Sequence, residues 1–157
     1  MIIQMGTDSE DLYYVDEKTK KIPVFSKLKY LKQYAKKQNI KIVNKFKPIP
    51  HDLDIVLKWL NTSKKSLECN EILTAWNFFI DLANTFSFNN DNLQAYRKKA
   101  PKAYKIYEKI FIGTNLPSVT KNNPPYHPKF NKKELKLIRN VLTYGFKKFK
   151  KNRIKIK

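Results

Sequence analysis

The chain is short of the residues that carry most enzyme chemistry and of those that make tight turns. Among its 157 residues there is one cysteine, Cys69, with two histidines and three glycines. A lone cysteine excludes an internal disulfide and fits a reducing compartment. With so few thiols and imidazoles, and no HxxxH or paired-acid spacing, a metal site would have to be gathered from scattered loops. No metal and no cofactor are therefore expected. The few glycines form no phosphate-cradling loop and no serine elbow, and they favour helices over tight hairpins. No apolar run approaches the ~18 residues of a membrane-crossing helix. The opening MIIQMGTDSEDL has neither the basic start nor the apolar stretch of a secretory signal. The expectation is a soluble cytoplasmic protein of one domain, without a membrane partner and long enough to bury a sizeable core.

Acidic residues are the other scarcity. Thirty-three lysines and arginines face thirteen acids, for a net charge of +20. The charge is also segregated. Residues 1–17 carry five acids and no base, residues 18–50 eleven lysines and no acid, and residues 94–157 nineteen bases and two acids. Such a field attracts polyanions at low salt, so non-specific nucleic-acid binding is expected there. Lysine-, asparagine- and isoleucine-rich usage is also what an AT-rich genome produces, so the charge alone discriminates weakly between functions.

The hydrophobic period changes twice along the chain, near residue 26 and again after residue 50. DLYYVDEKTKKIPVF reads as two short strands joined by a polar turn, Tyr13 and Val15 alternating, then Ile22 and Val24. Pro23 makes the second an edge strand. SKLKYLKQYAKKQN reads as a helix capped by Ser26, with Leu28, Leu31 and Ala35 on one side, and IKIV as a third strand. After the proline joint KPIP, Asp52 is placed to cap a helix carrying Leu53, Val56, Leu57 and Leu60. In the stretch around YRKKAPKAYKIYEKIF, Pro101 is expected to break or kink a helix bearing Ala103, Tyr107, Ile110 and Phe111, with Gly113 at its C′ position. A proline-rich loop follows. Asn131 and Glu134 then form a capping box for a last helix, with Leu135, Ile138, Leu142, Phe146 and Phe149 on its inner face. The basic end reads as a frayed tail. The fold expected is α+β, mostly α. A short N-terminal β-hairpin or small sheet with one helix (residues 1–50) precedes a helical bundle (51–150) and a basic tail (151–157), all in one domain, 1–157.

The densest aromatic run, CNEILTAWNFFIDLANTFSF at residues 69–88, decides whether to look for an enzyme. At helical spacing Cys69, Ile72, Leu73, Trp76, Phe79, Ile80, Ala83 and Phe86 make one stripe, widened by Ala75, Phe78 and Leu82 past half the circumference. A helix so apolar is the centre of a bundle. Cys69 lies on that face without a nearby histidine and reads as a structural thiol. Asn77 and Asp81, one turn apart on the polar strip, read first as satisfied contacts within the bundle, with binding of an outside ligand as the alternative. His51 and His127 stand beside prolines in loops and read as surface residues. Asp52 and Asp54 suit a helix N-terminus, where negative charge is favoured. No catalytic residues emerge, and a non-enzymatic binder is expected.

The stretches PHDLDIVLKWL, CNEILTAWNFFIDLANTF and IYEKIFIGTNLPSVT carry a resemblance. Over about residues 10–150 the chain resembles the small immunity proteins of bacterial polymorphic and contact-dependent toxin systems, closest to those paired with EndoU-type nuclease toxins. The resemblance implies a cytoplasmic protein that binds one cognate toxin nuclease domain one to one and blocks its active site or RNA groove. It transfers no binding residues. On charge alone, the partner-binding candidates are Lys32, Lys36 and Lys37 if the toxin is acidic, or Asp8, Glu10 and Asp11, with Asp16 and Glu17, if its groove is basic. A basic nucleic-acid-binding module is the alternative, using the lysines, the tail and Tyr96, Tyr104 and Tyr107.

Overall fold

The computed structural model describes residues 1–5, 11–42, 52–62, 67–95, 100–117 and 124–156. These form two small sheets and five helices. In chain order they are β1 (Gln4–Met5), β2 (Leu12–Tyr13), β3 (Ile22–Phe25), α1 (Leu28–Lys37), α2 (Leu53–Leu60), α3 (Cys69–Phe86), α4 (Pro101–Gly113), α5 (Lys132–Lys151) and β4 (Arg153–Ile156). The class is α+β, mostly α.

Helix α3 is the axis. It packs against α2, α4, α5 and β2, and ten of its residues are buried, among them Trp76, Phe79 and Ala83 with no exposed surface. Burial of each large side chain contributes roughly 1.5–3 kcal/mol, so this helix dominates the core. Its aromatic rings meet α5 edge to face, Phe78 with Phe149 at 5.0 Å and Phe79 with Phe146 at 4.9 Å between centroids. The indole N–H of Trp76 donates to Leu93 O at 2.9 Å, so this fully buried side chain leaves no donor unpaired. Ser87, in the left-handed region at φ 53°, ends the helix.

β2 and β3 lie within the two stretches whose alternation predicts strands but pair otherwise, and β1 and β4 are strands that the sequence reading did not place. No hairpin joins β2 to β3. β2 runs antiparallel to β1, and β3 runs parallel to β4 from the far end of the sequence, with Ile22 opposite Arg153 and Phe25 opposite Ile156. Residues 153–156 are thus a strand, not a frayed tail. Ile154 and Ile156 alternate with Arg153 and Lys155, and the strand covers Ile22 and Phe25, which are essentially buried. Pro23 fits because of strand parity. The Ile22 N–H points to β4, donating to Asn152 O, whereas Phe25, two residues beyond Pro23, donates away from β4 to Met1 O. The missing N–H of Pro23 falls on that second side, off the ladder.

Four local expectations are corrected. Lys27, not Ser26, is the N-cap of α1, and Leu28 is 45% exposed while Leu31 and Ala35 are buried. Residues 40–42 form no strand, and Val43 lies outside the described residues. Pro101 opens α4 at a position where its missing N–H costs nothing, and Ile106 rather than Phe111 completes the buried face. Gly113 is the last helical residue and has no positive φ. Its small size is needed for close approach, since a Cβ would stand 2.7 Å from Cys69 Sγ and from the Pro128 ring. The Asp52 cap and the Asn131–Glu134 capping box form as predicted.

Candidate functional site

Over the described residues 52–60, 69–86 and 106–117, the stretches that carry the resemblance supply mainly framework side chains. Cys69 is buried at the start of α3 against Gly113, and burial raises its thiol pKa, which keeps it protonated and unreactive. Beyond Gly113, Asn115 takes a left-handed conformation at φ 53°. Its side-chain oxygen accepts from Tyr126 N at 2.7 Å and its amide donates to Tyr126 O at 3.0 Å, so one side chain ties PPYHP to the end of α4. On α3, Asn77 accepts from the Tyr107 hydroxyl at 2.7 Å and Asp81 from the Tyr13 hydroxyl at 3.3 Å. Both polar residues of the strip therefore make contacts within the fold. Burial, reinforced by the charge of Asp11, lifts the Asp81 carboxyl to about 7 against a partly offsetting hydrogen bond from Tyr13.

Charged residues make up much of the accessible surface, beside exposed apolar side chains that include Leu28, Leu57, Phe111, Ile112 and Leu116. Lys32, Lys36 and Lys37 are all exposed on α1, which contains no acid. The helix is held from its other face by Leu31 and Ala35, by Tyr34 packed on Phe25 at 5.3 Å, and by the Tyr34 hydroxyl donating to Asp16. That bond, with two from Thr19, holds the Asp16 carboxyl down to about 2. Asp16 is buried. It is spent on the fold and drops out of the acidic contact set. Asp11 is exposed, whereas Asp8 and Glu10 lie outside the described residues. His127 is exposed, and Tyr104 and Tyr107 are half-buried against the core; His51 and Tyr96 are outside the described residues. Among the described residues no cluster of three or more histidine, cysteine or acidic side chains is placed to hold a metal.

A second basic surface was missed. On α5 the exposed residues Lys132, Lys133, Lys136, Asn140, Thr143, Lys147, Lys150 and Lys151 fall within an arc of about 100°, opposite the buried Ile138, Leu142 and Phe149. The parallel pairing of β3 with β4 sets Lys21 and Lys20 beside this ridge, since Ile22 N donates to Asn152 O. Two further cations are held in place by rings: Lys148 over Phe88 and Tyr144, and Arg153 over Phe149. Grooves of about 660 and 360 Å³ flank the ridge, and Lys136 and Asn140 line both. The helical part of this stripe is legible in the spacing of the lysines. The part supplied by Lys20 and Lys21 depends on a strand pairing that no local pattern announces.

No protein-family model, curated protein or solved structure matches the chain.

Proposed function

We propose that the protein is a non-enzymatic inhibitor that binds a cognate nuclease toxin domain one to one, engaging an acidic surface of that domain through the exposed lysine face of α1. The observation that carries the reading is the geometry of that face. Lys32, Lys36 and Lys37 project from a helix without a single acid, while its inner side is fixed by Leu31, Ala35 and the Tyr34–Asp16 bond. Cations so presented steer an acidic partner into register and speed its capture. The second support is that Cys69, Gly113 and Asn115, within the stretches on which the resemblance rests, are occupied in holding the fold. Such a framework leaves the surface to set partner choice. The reading places the protein in the cytoplasm, where a nuclease toxin would act.

The test is a mixture of toxin domain, labelled RNA and inhibitor. Equimolar protein should abolish cleavage by the cognate domain and leave unrelated nucleases active; undiminished cleavage would refute the proposal. In stopped-flow mixing at low salt, joint reversal of Lys32, Lys36 and Lys37 to Glu should slow association about 10-fold or more, with the gap closing as salt is raised. An unchanged rate would move the contact off α1.

A further inference from the structure

The geometry of α5 points to a second binding site, separate from the lysine face of α1: we propose that the ridge of α5 and its two flanking grooves hold a single strand of RNA. Three features converge on this ligand. Along a helix of 20 residues, about 30 Å long, the ridge presents Lys132, Lys133 and Lys136 near one end and Lys147, Lys150 and Lys151 near the other, with the polar Asn140 and Thr143 between them, and no acid follows Glu134 in the sequence. Glu134 itself is turned away, bonded to Lys109 at 3.0 Å and to the N-terminus of its own helix. Two cation groups on one side of the helix, with no ion pair to these lysines among the described residues, can contact a phosphate backbone at both ends of the ridge, where each phosphate contact releases counterions.

The grooves make the match more specific than charge alone. Each is lined by apolar side chains together with cationic or amide ones. Phe130, Leu135 and Lys132 line one, together with Arg139, which is held over the Trp59 ring and donates to Trp59 O and Leu60 O; Leu137, Val141, Tyr144, Lys133, Asn90 and Asn92 line the other. No carboxylate lines either groove. A nucleotide strand has the complementary division, with flat apolar bases on one side and charged phosphates on the other, and its bases are free to enter only when unpaired. A duplex would present phosphates to the ridge but leave both grooves empty. The amides of Asn92 and Asn140 can donate and accept at once, which suits the 2′-hydroxyl and favours RNA over DNA; the Asn90 oxygen already accepts from Leu93 N at 2.9 Å, which leaves its NH2 to donate. Because Lys136 and Asn140 belong to both grooves, one strand crossing the ridge there occupies the two together.

The test compares two variants of equal charge. Lys133, Lys136 and Lys147 become Gln in the first, and Lys32, Lys36 and Lys37 become Gln in the second. All six side chains are exposed, and circular dichroism verifies that both variants fold. Binding of a fluorescein-labelled 12-nucleotide single-stranded RNA is measured by anisotropy from 50 to 200 mM salt. The ridge variant should bind at least 10-fold more weakly at 150 mM. Its plot of log affinity against log salt should be shallower by about 2, the effect of three lost single-strand phosphate contacts. The α1 variant should stay within about 3-fold of the parent. Equal losses in the two variants would reduce the binding to net charge and overturn the site. Tighter binding of the duplex would overturn the grooves, and equal binding of the DNA strand would overturn the assignment to RNA. Toxin inhibition separates this proposal from the previous one: the ridge variant should still inhibit fully, while the α1 variant should inhibit poorly yet bind RNA.

Discussion

Asp81 shows how one residue joins the N-terminal strands to the bundle. It sits on the polar strip of the central helix, where the sequence places it, but its partner Tyr13 is far away in the chain. That pairing comes from β2 docking on α3, and Thr85 secures it by accepting from Tyr13 N at 3.0 Å. Burial raises the carboxyl from its ordinary 3.8 to about 7, so the folded state binds the proton more tightly than the unfolded chain. The contribution to stability is therefore full below about pH 4 and is lost as pH rises through about 7. Asp81→Asn keeps an acceptor for Tyr13 and removes the charge. Relative to the variant, the parent should lose on the order of 1–3 kcal/mol between pH 4 and pH 8. Urea melts at the two pH values measure this difference, and parallel stability curves would show that Asp81 is ionised throughout. At this scale the core was the legible part. Trp76 and Phe79 are placed inside by spacing alone, whereas the roles of Gly113 and Asn115 rest on contacts from distant segments.

Among the elements, the helices were read from their own residues, because a helix satisfies its backbone locally and shows its buried face at a spacing of three and four. Strands satisfy theirs on another segment, so β3 was located correctly and given the wrong partner. The same limit hid β4, whose RIKI alternation was outweighed by the lysines around it. Deleting residues 153–157 tests the difference between a strand and a tail. Loss of a frayed tail would leave the urea midpoint nearly unchanged. Removing β4 uncovers Ile22 and Phe25 and strips the Ile154 and Ile156 contacts, so a cost of about 2 kcal/mol or more is expected. A substitution within α5 reports on packing in the same way. Gly145 has no room for a Cβ, which would run into the Phe79 ring, so Gly145→Ala should destabilise by about 1–3 kcal/mol despite the better helix propensity of alanine.

For the molecule as a whole, the net charge of +20 opposes compactness as well as drawing in partners. Lysines on α1, on α5 and on β4 repel one another in the folded state more than in an extended chain. Raising sodium chloride from about 20 to 200 mM should therefore raise the melting temperature by screening that repulsion. The same change should slow capture of an acidic partner. Opposite responses of stability and association to one variable are the signature expected of a cationic binder, and a melting temperature that falls with salt would contradict it. The segregation of charge was plain in the sequence. Its division into two separate faces was not, because that depends on α1 and α5 lying at opposite ends of the β3–β4 pair.

The parallel pairing of β3 with β4 also has a kinetic consequence. Opposing Ile22 to Arg153 closes a loop that contains nearly the entire chain, and such contacts form late because the search for them is entropically costly. On that ground the helices of the bundle should assemble first and the small sheet should close last. Ile154→Ala should accordingly accelerate unfolding in denaturant jumps while leaving the refolding rate almost untouched, a φ-value near zero. The strand then behaves as a latch: its strength sets how long the native state lasts, with little influence on how quickly that state is reached.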